Sequence, residues 1–267
     1  MSAAAHTAMR RARGLFSVYY AYMTEYRAEL VLWALANSLS FILMGAWDQA
    51  AAGGGLGISA LDVVRYFLAV FVVRQLTVVW VIWEFDQDIQ KGRLSQYLLQ
   101  PIDPVWRYIA AHLSERVARL PFSAIIVTLF LLIFPPARFV PTVEDVLLGV
   151  GFALLAFALR FAIQYTLALL SFWTERASSL ESLMFILYMV ASGAIAPLDV
   201  FPPAVREVVL WTPFPYMIWL PARLLVGGVE LDLVRAALVC GGWLAVLTVI
   251  NRVVWRRGLR RYSSMGA

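Results

Sequence analysis

Residues 146–173 read VLLGVGFALLAFALRFAIQYTLALLSFW, and Arg160 is the only charged residue in this run. A helix needs roughly 20 mostly apolar residues to cross the hydrocarbon core of a bilayer. The run is longer than that, so it predicts a transmembrane helix that has room to tilt. The whole chain agrees with this, because 62% of its 267 residues are hydrophobic and 15% are charged. Soluble domains are about 45–50% apolar and about 25% charged. The sequence therefore predicts a polytopic membrane protein and excludes a soluble enzyme.

Apolar runs on both sides of this helix predict five more spans, at residues 30–47, 63–83, 120–135, 182–198 and 233–254. The basic segment within residues 1–28 precedes the first of them. Its apolar and aromatic side chains recur at helical spacing, which predicts an amphipathic helix at the membrane interface. The predicted fold class is an all-α polytopic membrane protein with six transmembrane helices and an N-terminal interfacial helix.

Residues 197–228 are rich in proline and aromatic side chains, and Pro213, Pro215 and Pro221 fall inside the uncharged run 208–222. Each proline removes a backbone donor, so a straight lipid-exposed helix is disfavoured. Irregular backbone is tolerated at membrane depth only where protein or water covers it. We therefore expect short helices or a re-entrant hairpin at the outer face, between spans five and six.

Arginine and lysine residues are distributed unevenly between the predicted loops. With the N-terminus placed inside, the cytoplasmic segments contain fifteen of them, and the outer segments contain three, Arg138, Arg206 and Arg223. Short loops rich in these residues stay on the cytoplasmic side of a membrane. The asymmetry predicts that both termini are cytoplasmic.

Several kinds of chemistry are disfavoured by simple counts. The chain has two histidines, His6 and His112, and one cysteine, Cys240, too few for a metal site of His and Cys ligands. Its only lysine, Lys91, is followed by glycine, so the chain has no nucleotide-binding P-loop. No basic patch with interleaved aromatic residues suggests a nucleic-acid partner. His112 and Glu115 share a helix face, and we interpret them as a surface ionic contact rather than a catalytic pair.

Arg74 and Arg160 each lie near the middle of a predicted span. A charged side chain at that depth costs roughly 2.5–3.5 kcal/mol, so it normally faces protein or water. One interpretation is that they line the wall of a polar conduit or contact an anionic substrate. The other is a structural role, in which each arginine pairs with Glu84 or Asp62 or extends to the membrane surface.

The longest predicted cytoplasmic segment is residues 84–119. It begins with acidic residues, which favour a helix N-terminus, and Pro101 and Pro104 end the helical pattern. Its apolar residues predict a short amphipathic helix between two spans. The alternative is a solvated turn whose leucines rest on the bilayer surface.

Two stretches resemble the ABC-2 type transporter permeases, in particular a branch that works with a separate ATPase. The first is Gln90-Lys91-Gly92-Arg93-Leu94, followed by Tyr97-Leu98-Leu99-Gln100-Pro101-Ile102-Asp103-Pro104. The second is Ser192-Gly193-Ala194-Ile195-Ala196-Pro197-Leu198-Asp199-Val200-Phe201-Pro202, with the proline-rich tail after it. With the six-span plan, the resemblance covers nearly the whole chain.

The resemblance implies that residues 1–267 form a single ABC-2 type transmembrane domain without a nucleotide-binding domain, and that this domain is one half of an exporter in a bacterial cytoplasmic (inner) membrane. Two copies of a cytoplasmic ABC ATPase would bind ATP and Mg²⁺, a second permease half would be identical or homologous, and this chain would not be an enzyme. The implied ATPase-coupling residues are Asp88, Ile89, Lys91, Gly92, Leu94, Tyr97, Leu98, Leu99 and Pro101.

The resemblance also implies an exit hairpin, with Gly193, Pro197, Pro202, Pro213, Pro215 and Pro221 as its defining residues. Two other classes of function stay open. A secondary transporter or channel would be favoured by acidic residues inside the spans. A membrane-embedded enzyme would need an acid, a base or a nucleophile that converge at one depth.

Overall fold

The computed structural model describes residues 3–36, 38–53, 58–174, 176–227 and 232–264. Within these ranges the chain is helical and contains no β-strand. The α-helices are α1 (Ala3–Glu25), α2 (Arg27–Ala36), α3 (Leu39–Ala52), α4 (Ala60–Thr77), α5 (Val81–Gln90), α6 (Arg93–Leu98), α7 (Val105–Ile133), α8 (Val143–Ala168), α9 (Leu180–Ala191), α10 (Pro203–Val209), α11 (Trp219–Val226) and α12 (Leu233–Ser264). Short 3-10 turns occur at Pro135–Ala137, Leu169–Phe172, Ala177–Ser179, Leu198–Val200 and Pro215–Met217.

In the described part of the chain, 4 helical segments are long and apolar enough to cross a membrane. They are Ala60–Gln90, Val105–Ile133, Val143–Phe172 and Leu233–Tyr262. The third of these contains most of the run that opened the sequence analysis. Its N-terminus is fixed by a capping box in which Thr142 and Asp145 bond to each other's backbone N–H groups.

The other two predicted spans are shorter than expected. Residues 30–47 fall on two helices, α2 and α3, which are separated around Ser38. The fifth predicted span, residues 182–198, contains the 12-residue helix α9, and the chain leaves the helix at Ser192. Neither meets the length of a single straight spanning helix. The membrane character and the all-helical fold are confirmed, and the count of six spans stays a prediction.

The segment 84–119 is more helical than the sequence analysis predicted. Helix α5 extends to Gln90, and α7 begins at Val105, directly after Pro104. Arg116 and Arg119 are consequently buried inside α7 instead of lying in a loop. Removing these two from the fifteen cytoplasmic charges leaves thirteen against three, so the orientation predicted from charge is unchanged.

The protein core is built around α4 and α8. Helix α4 packs against α3, α7, α8 and α11, and two thirds of its residues are buried. Helix α11 lies against both α4 and α8, and its backbone approaches α8 at Gly149, where a Cβ atom would collide with the Leu225 side chain. Helix α12 packs on α8 and on the 3-10 turn after it, where Gly258 faces the Phe172 ring.

Helix α1 packs along α7. The Ser114 hydroxyl in α7 donates a hydrogen bond of 3.1 Å to the Phe16 carbonyl oxygen. Several aromatic side chains of α1, among them Tyr20 and Tyr22, stay exposed. The predicted N-terminal helix is therefore present, and it packs against α7.

Candidate functional site

The connecting segment, residues 87–104, joins α5 to α7 and contains α6. Gly92 makes the turn between α5 and α6 with a φ of 68°, a left-handed conformation that glycine adopts without steric cost. The Lys91 and Gly92 N–H groups donate to the Gln87 and Ile89 carbonyls, which ends α5. The turn reverses the chain, so α6 folds back against α5.

Asp88 ties the three helices of this region together. Its buried carboxylate accepts a hydrogen bond of 2.6 Å from Arg93 Nε in α6 and one of 2.7 Å from the Tyr108 hydroxyl in α7. A buried carboxylate is stable only when such donors satisfy it. Asp86, which the sequence analysis did not single out, is buried in the same helix and accepts hydrogen bonds from Ser171 and Ser178.

Leu94 is placed differently from the prediction that it anchors a partner. Its side chain is 0% exposed and belongs to an apolar cluster that includes Phe85 and Tyr108. It therefore holds α6 on the body of the protein and cannot contribute to an exposed docking surface. Ile89 is half-buried and packs against the same cluster. The Ser95 hydroxyl, at 2.8 Å from the Tyr262 hydroxyl, joins α6 to α12.

Of the six remaining predicted coupling residues, Tyr97 is half-buried and the other five are exposed. We define these five as the exposed rim: Lys91, Gly92, Leu98, Leu99 and Pro101. Leu99 is 88% exposed and Leu98 is 38% exposed. Two adjacent leucines at the C-terminal end of α6 are thus the exposed apolar side chains of the rim.

Side-chain contacts between α7 and the end of α6 hold the rim in place. The Arg107 guanidinium lies 4.1 Å from the centre of the Tyr97 ring and donates to Gln100 Oε1 at 2.6 Å. Partial burial, followed by the negative charge of Asp88, raises the pKa of Tyr97 above its ordinary value, so the phenol stays neutral. Asp103 accepts from Arg252 at 2.7 Å, which connects the end of the segment to α12.

The segment Ala60–Gln90 corresponds to the second predicted span, and we call it the second long helix. It is interrupted between α4 and α5, at Val78, Val79 and Trp80, shortly before the connecting segment. Arg116 of α7 fills the break. Its guanidinium donates to the Leu76 carbonyl at 2.5 Å, and also to the carbonyls of Val78 and His112. The bonds to Leu76 and Val78 supply donors to carbonyl groups that the interrupted helix leaves unsatisfied, and the bond to His112 holds the guanidinium on its own helix.

His112 contributes to the same break, which corrects our interpretation of it as a surface contact. Its Nε2 atom accepts the Trp80 N–H at 2.9 Å, and its Nδ1 atom lies 2.8 Å from the Tyr108 carbonyl oxygen. Because Nε2 accepts, the neutral ring carries its proton on Nδ1 and donates it to that carbonyl. The side chain is buried. Glu115 instead pairs with Arg119.

Sequence reasoning missed this clamp of His112 and Arg116 because it placed both residues in a loop. One signal could have found it. The two residues are four apart, and Pro104 is a suitable residue to precede a helix start, so extending α7 back to Val105 puts both side chains on one face.

The two arginines predicted inside spans are Arg74 in α4 and Arg160 in α8, and both lie near Tyr188 of α9. The Arg160 guanidinium lies 4.1 Å from the centre of the Tyr188 ring. Arg74 is buried and interacts electrostatically with Tyr188 and Arg160. Its Nε and Nη1 atoms have no hydrogen-bond acceptor among the described residues. Neither predicted pair forms, since Glu84 lies beside His112 and Asp62 bonds with Ser59.

Arg160 also lines a small cavity of about 20 Å³ with Gln164, Glu181 and Tyr188. Gln164 donates a hydrogen bond of 2.8 Å to Glu181 Oε1, and Glu181 is buried. We call Arg160, Gln164, Glu181 and Tyr188 the polar cluster; the space between them has room for about one water molecule.

The described residues of the segment 197–228, which are 197–227, fold into short helices, and α11 among them packs against α4 and α8. Gly193, just before this segment, has a φ of 86°, and a Cβ atom there would lie 2.6 Å from the Tyr66 hydroxyl and 2.7 Å from Trp219 Cβ. That hydroxyl donates to the Gly193 carbonyl at 2.7 Å. The Trp219 N–H donates to the Ser192 carbonyl at 2.9 Å, so the start of α11 is bonded to the end of α9.

The prolines predicted to define this segment are mostly inside it. Pro197, Pro213, Pro215 and Pro221 are buried, and Pro202 is exposed. The Trp219 indole N–H donates to Asp199 at 2.9 Å, and Asp199 also lies 3.6 Å from Arg223 Nε. Protein therefore covers the backbone around the buried prolines, whereas α10 has no buried side chain. The re-entrant hairpin at the outer face stays a prediction.

Comparison with known proteins agrees with this architecture. No curated protein matches the chain. The family model described as "ABC-2 family transporter protein" matches residues 31–266, which include the connecting segment, the polar cluster and the segment 197–228. The chain belongs to the ABC-2 family of transporter proteins.

Proposed function

We propose that this protein is the membrane-spanning subunit of an ATP-driven exporter and that a separate ABC ATPase docks on its exposed rim. Two ATPase subunits carry the ATP and Mg²⁺, and a second permease half completes the translocation path. Membership of the ABC-2 family supports the association with an ATPase. In this proposal α2 with α3, and α9 with the residues after it, complete six membrane crossings.

The observation that carries the proposal is the rigid connection between the rim and the second long helix. Leu98 and Leu99 protrude from α6, whereas Leu94 and Asp88 bind α6 to α5 and α7. Helix α5 then leads directly to the break that Arg116 and His112 hold. A displacement of the rim by a docked ATPase would therefore act on α4 at the centre of the protein.

The proposed orientation places both termini and the rim in the cytoplasm of a bacterium, with the protein in the inner membrane. The excess of arginine and lysine in the segments assigned to that side supports this orientation. The segment 197–228 then lies at the outer face, where we propose that it caps the exit of the path.

Docking should depend on the exposed leucines. Burying a leucine contributes roughly 1.5–3 kcal/mol, so losing one weakens docking about tenfold or more. A carboxylate at the same place adds a desolvation cost. We expect Leu99→Glu to leave a folded membrane protein from which the ATPase dissociates during purification in mild detergent, as measured by mass analysis of the bound subunits.

The matched control is Val208→Glu, which places the same carboxylate on an exposed apolar residue of α10. Position 208 belongs to the segment that packs at the opposite end of α4 from the rim. It should retain the ATPase in the amount found with the unsubstituted chain. Equal retention by both variants would refute docking at the rim.

Arg160 should matter for transport rather than for folding. We propose that Arg160 and Arg74 belong to the wall of the path, since Arg74 is buried with no hydrogen-bond acceptor for its Nε and Nη1 atoms among the described residues, and Arg160 lines a polar cavity inside the protein. Arg160→Leu should insert and assemble normally, but substrate should no longer stimulate the ATPase activity of the complex. Normal stimulation in this variant would limit Arg160 to a structural role.

A secondary transporter is the second candidate, and Glu181 is the observation that favours it. This carboxylate is buried beside Gln164 and Arg160, where proton-coupled transport would place a titrating group. Transport in membrane vesicles distinguishes the two functions. An exporter of the proposed kind requires ATP in the absence of a proton gradient, whereas the second candidate requires the gradient and depends on Glu181.

A further inference from the structure

A cavity of about 750 Å³ lies between α1 and the beginning of α7. It borders the connecting segment at Pro101, Ile102 and Asp103, and neither Leu98 nor Leu99 of the rim lines it. Its walls are mainly apolar and include Leu15, Phe16, Trp106, Ile109 and Leu113. It opens at the first turns of α7, the end of the span that follows the connecting segment. The cavity therefore lies at the level where a spanning helix meets the membrane interface.

Two arginines, Arg11 and Arg13, line the same cavity, and both residues are exposed. Arg11 donates to the Pro101 carbonyl oxygen at 3.3 Å. Arginine has five N–H donors, so this single bond leaves capacity to bind an anion. Guanidinium groups bind phosphate through paired hydrogen bonds.

The one acidic residue in the lining does not cancel this positive charge. Asp103 accepts a hydrogen bond of 2.7 Å from Arg252 and one of 3.1 Å from the Val105 N–H. Its charge is thus matched by a cation of α12. The cavity combines an apolar interior with an uncompensated pair of cations.

We propose that this cavity binds an anionic phospholipid. The phosphate group meets Arg11 and Arg13, and the first part of an acyl chain lies along Phe16, Ile109 and Leu113, with the remainder in the bilayer. The volume lies within the range of pockets that hold small ligands, about 300–1,000 Å³. An apolar site at the interface of a membrane protein is in contact with lipid, and the two arginines select the anionic kind.

The inference goes beyond the proposed function, because it requires a membrane but neither an ATPase nor a transported substrate. By holding α1 and α7 together, the lipid would add to the hydrogen bond that the Ser114 hydroxyl donates to the Phe16 carbonyl oxygen. A basic residue near an anionic lipid contributes about fivefold in affinity. Removing both arginines should therefore weaken binding by more than tenfold.

The test is native mass spectrometry of the purified full chain, titrated with phosphatidylglycerol and, separately, with phosphatidylcholine. The unsubstituted chain should bind phosphatidylglycerol at least tenfold more tightly. The variant with Arg11→Gln and Arg13→Gln should lose that preference. The matched control, Arg256→Gln with Arg257→Gln, removes two exposed arginines of α12 and should keep it.

A second variant separates the cavity from its charge. Ala110→Trp fills the cavity and retains both arginines, so it should also lose the bound lipid while keeping the melting temperature of the lipid-free protein. Equal affinity of the unsubstituted chain for the two lipids would overturn the proposal. So would an equal loss in the two double variants, or displacement of the lipid by an ATPase that cross-links to residue 106.

Discussion

Replacing Arg116 by leucine is expected to destabilise the protein severely. The guanidinium serves the carbonyls of Leu76, Val78 and His112 at the break in the second long helix. A buried polar group left without a partner costs about 1–3 kcal/mol. The His112 carbonyl lies inside α7 and keeps its helical N–H partner, so the Leu76 and Val78 carbonyls are the two groups left without a donor. Two such groups make a loss of about 2 kcal/mol or more, which lowers the melting temperature in detergent by roughly 4–8 °C.

Two further variants isolate the cause of that loss. Arg256→Leu removes an exposed arginine of α12 and should leave the melting temperature unchanged. Arg116→Lys keeps the charge but lacks the planar fork, so it should recover only part of the stability. If Arg116→Leu melts at the same temperature as Arg256→Leu, the clamp does not stabilise the break.

Replacing Leu94 by glutamate is expected to prevent folding, not merely to weaken docking. The side chain is fully buried beside Phe85 and Tyr108. The substitution removes roughly 1.5–3 kcal/mol of apolar burial and places an unpaired carboxylate in an apolar cluster. Size-exclusion chromatography in detergent should show little monodisperse protein for Leu94→Glu and a normal yield for Leu99→Glu.

The opposite outcome for Leu94 would restore its predicted role. A Leu94→Glu protein that elutes normally but has lost its ATPase would mean that Leu94 reaches the surface in the assembled complex. The burial of this leucine in α6, and with it the definition of the exposed rim, would then be wrong.

The long spans could be predicted from sequence because their signal is a property of the run itself. Residues 146–173 need no partner to be recognised as a spanning helix. The break at Val78, Val79 and Trp80 could not be predicted, because no glycine or proline occurs there. It depends on Arg116 and His112, which lie more than thirty residues further along the chain.

The connecting segment was predicted only in part, for a similar reason. The pattern indicated an amphipathic helix, and α6 is present. Leu94 and Leu98 are four residues apart and share a helix face, but in a six-residue helix periodicity alone does not say whether that face meets protein or a partner. The cluster with Phe85 and Tyr108 decides it.

The polar cluster shows the same limit. Arg74 and Arg160 stood out in the sequence because each lies near the middle of a predicted span. The expectation that protein encloses them fits their position beside Tyr188. The pairing of Gln164 with Glu181 was not foreseen, because it joins α8 to the start of α9. Contacts of this kind arise only once the helices have packed.

Docking of an ABC ATPase on the exposed rim is the central claim, and site-specific photo-cross-linking tests it most directly. A photoreactive amino acid is placed at position 99, or at position 208 as the control, and the chain is irradiated in membranes that contain its co-purifying ATPase. We predict that position 99 cross-links to the ATPase and that position 208 does not. Absence of a cross-link from position 99, or equal cross-linking from both positions, would contradict the account.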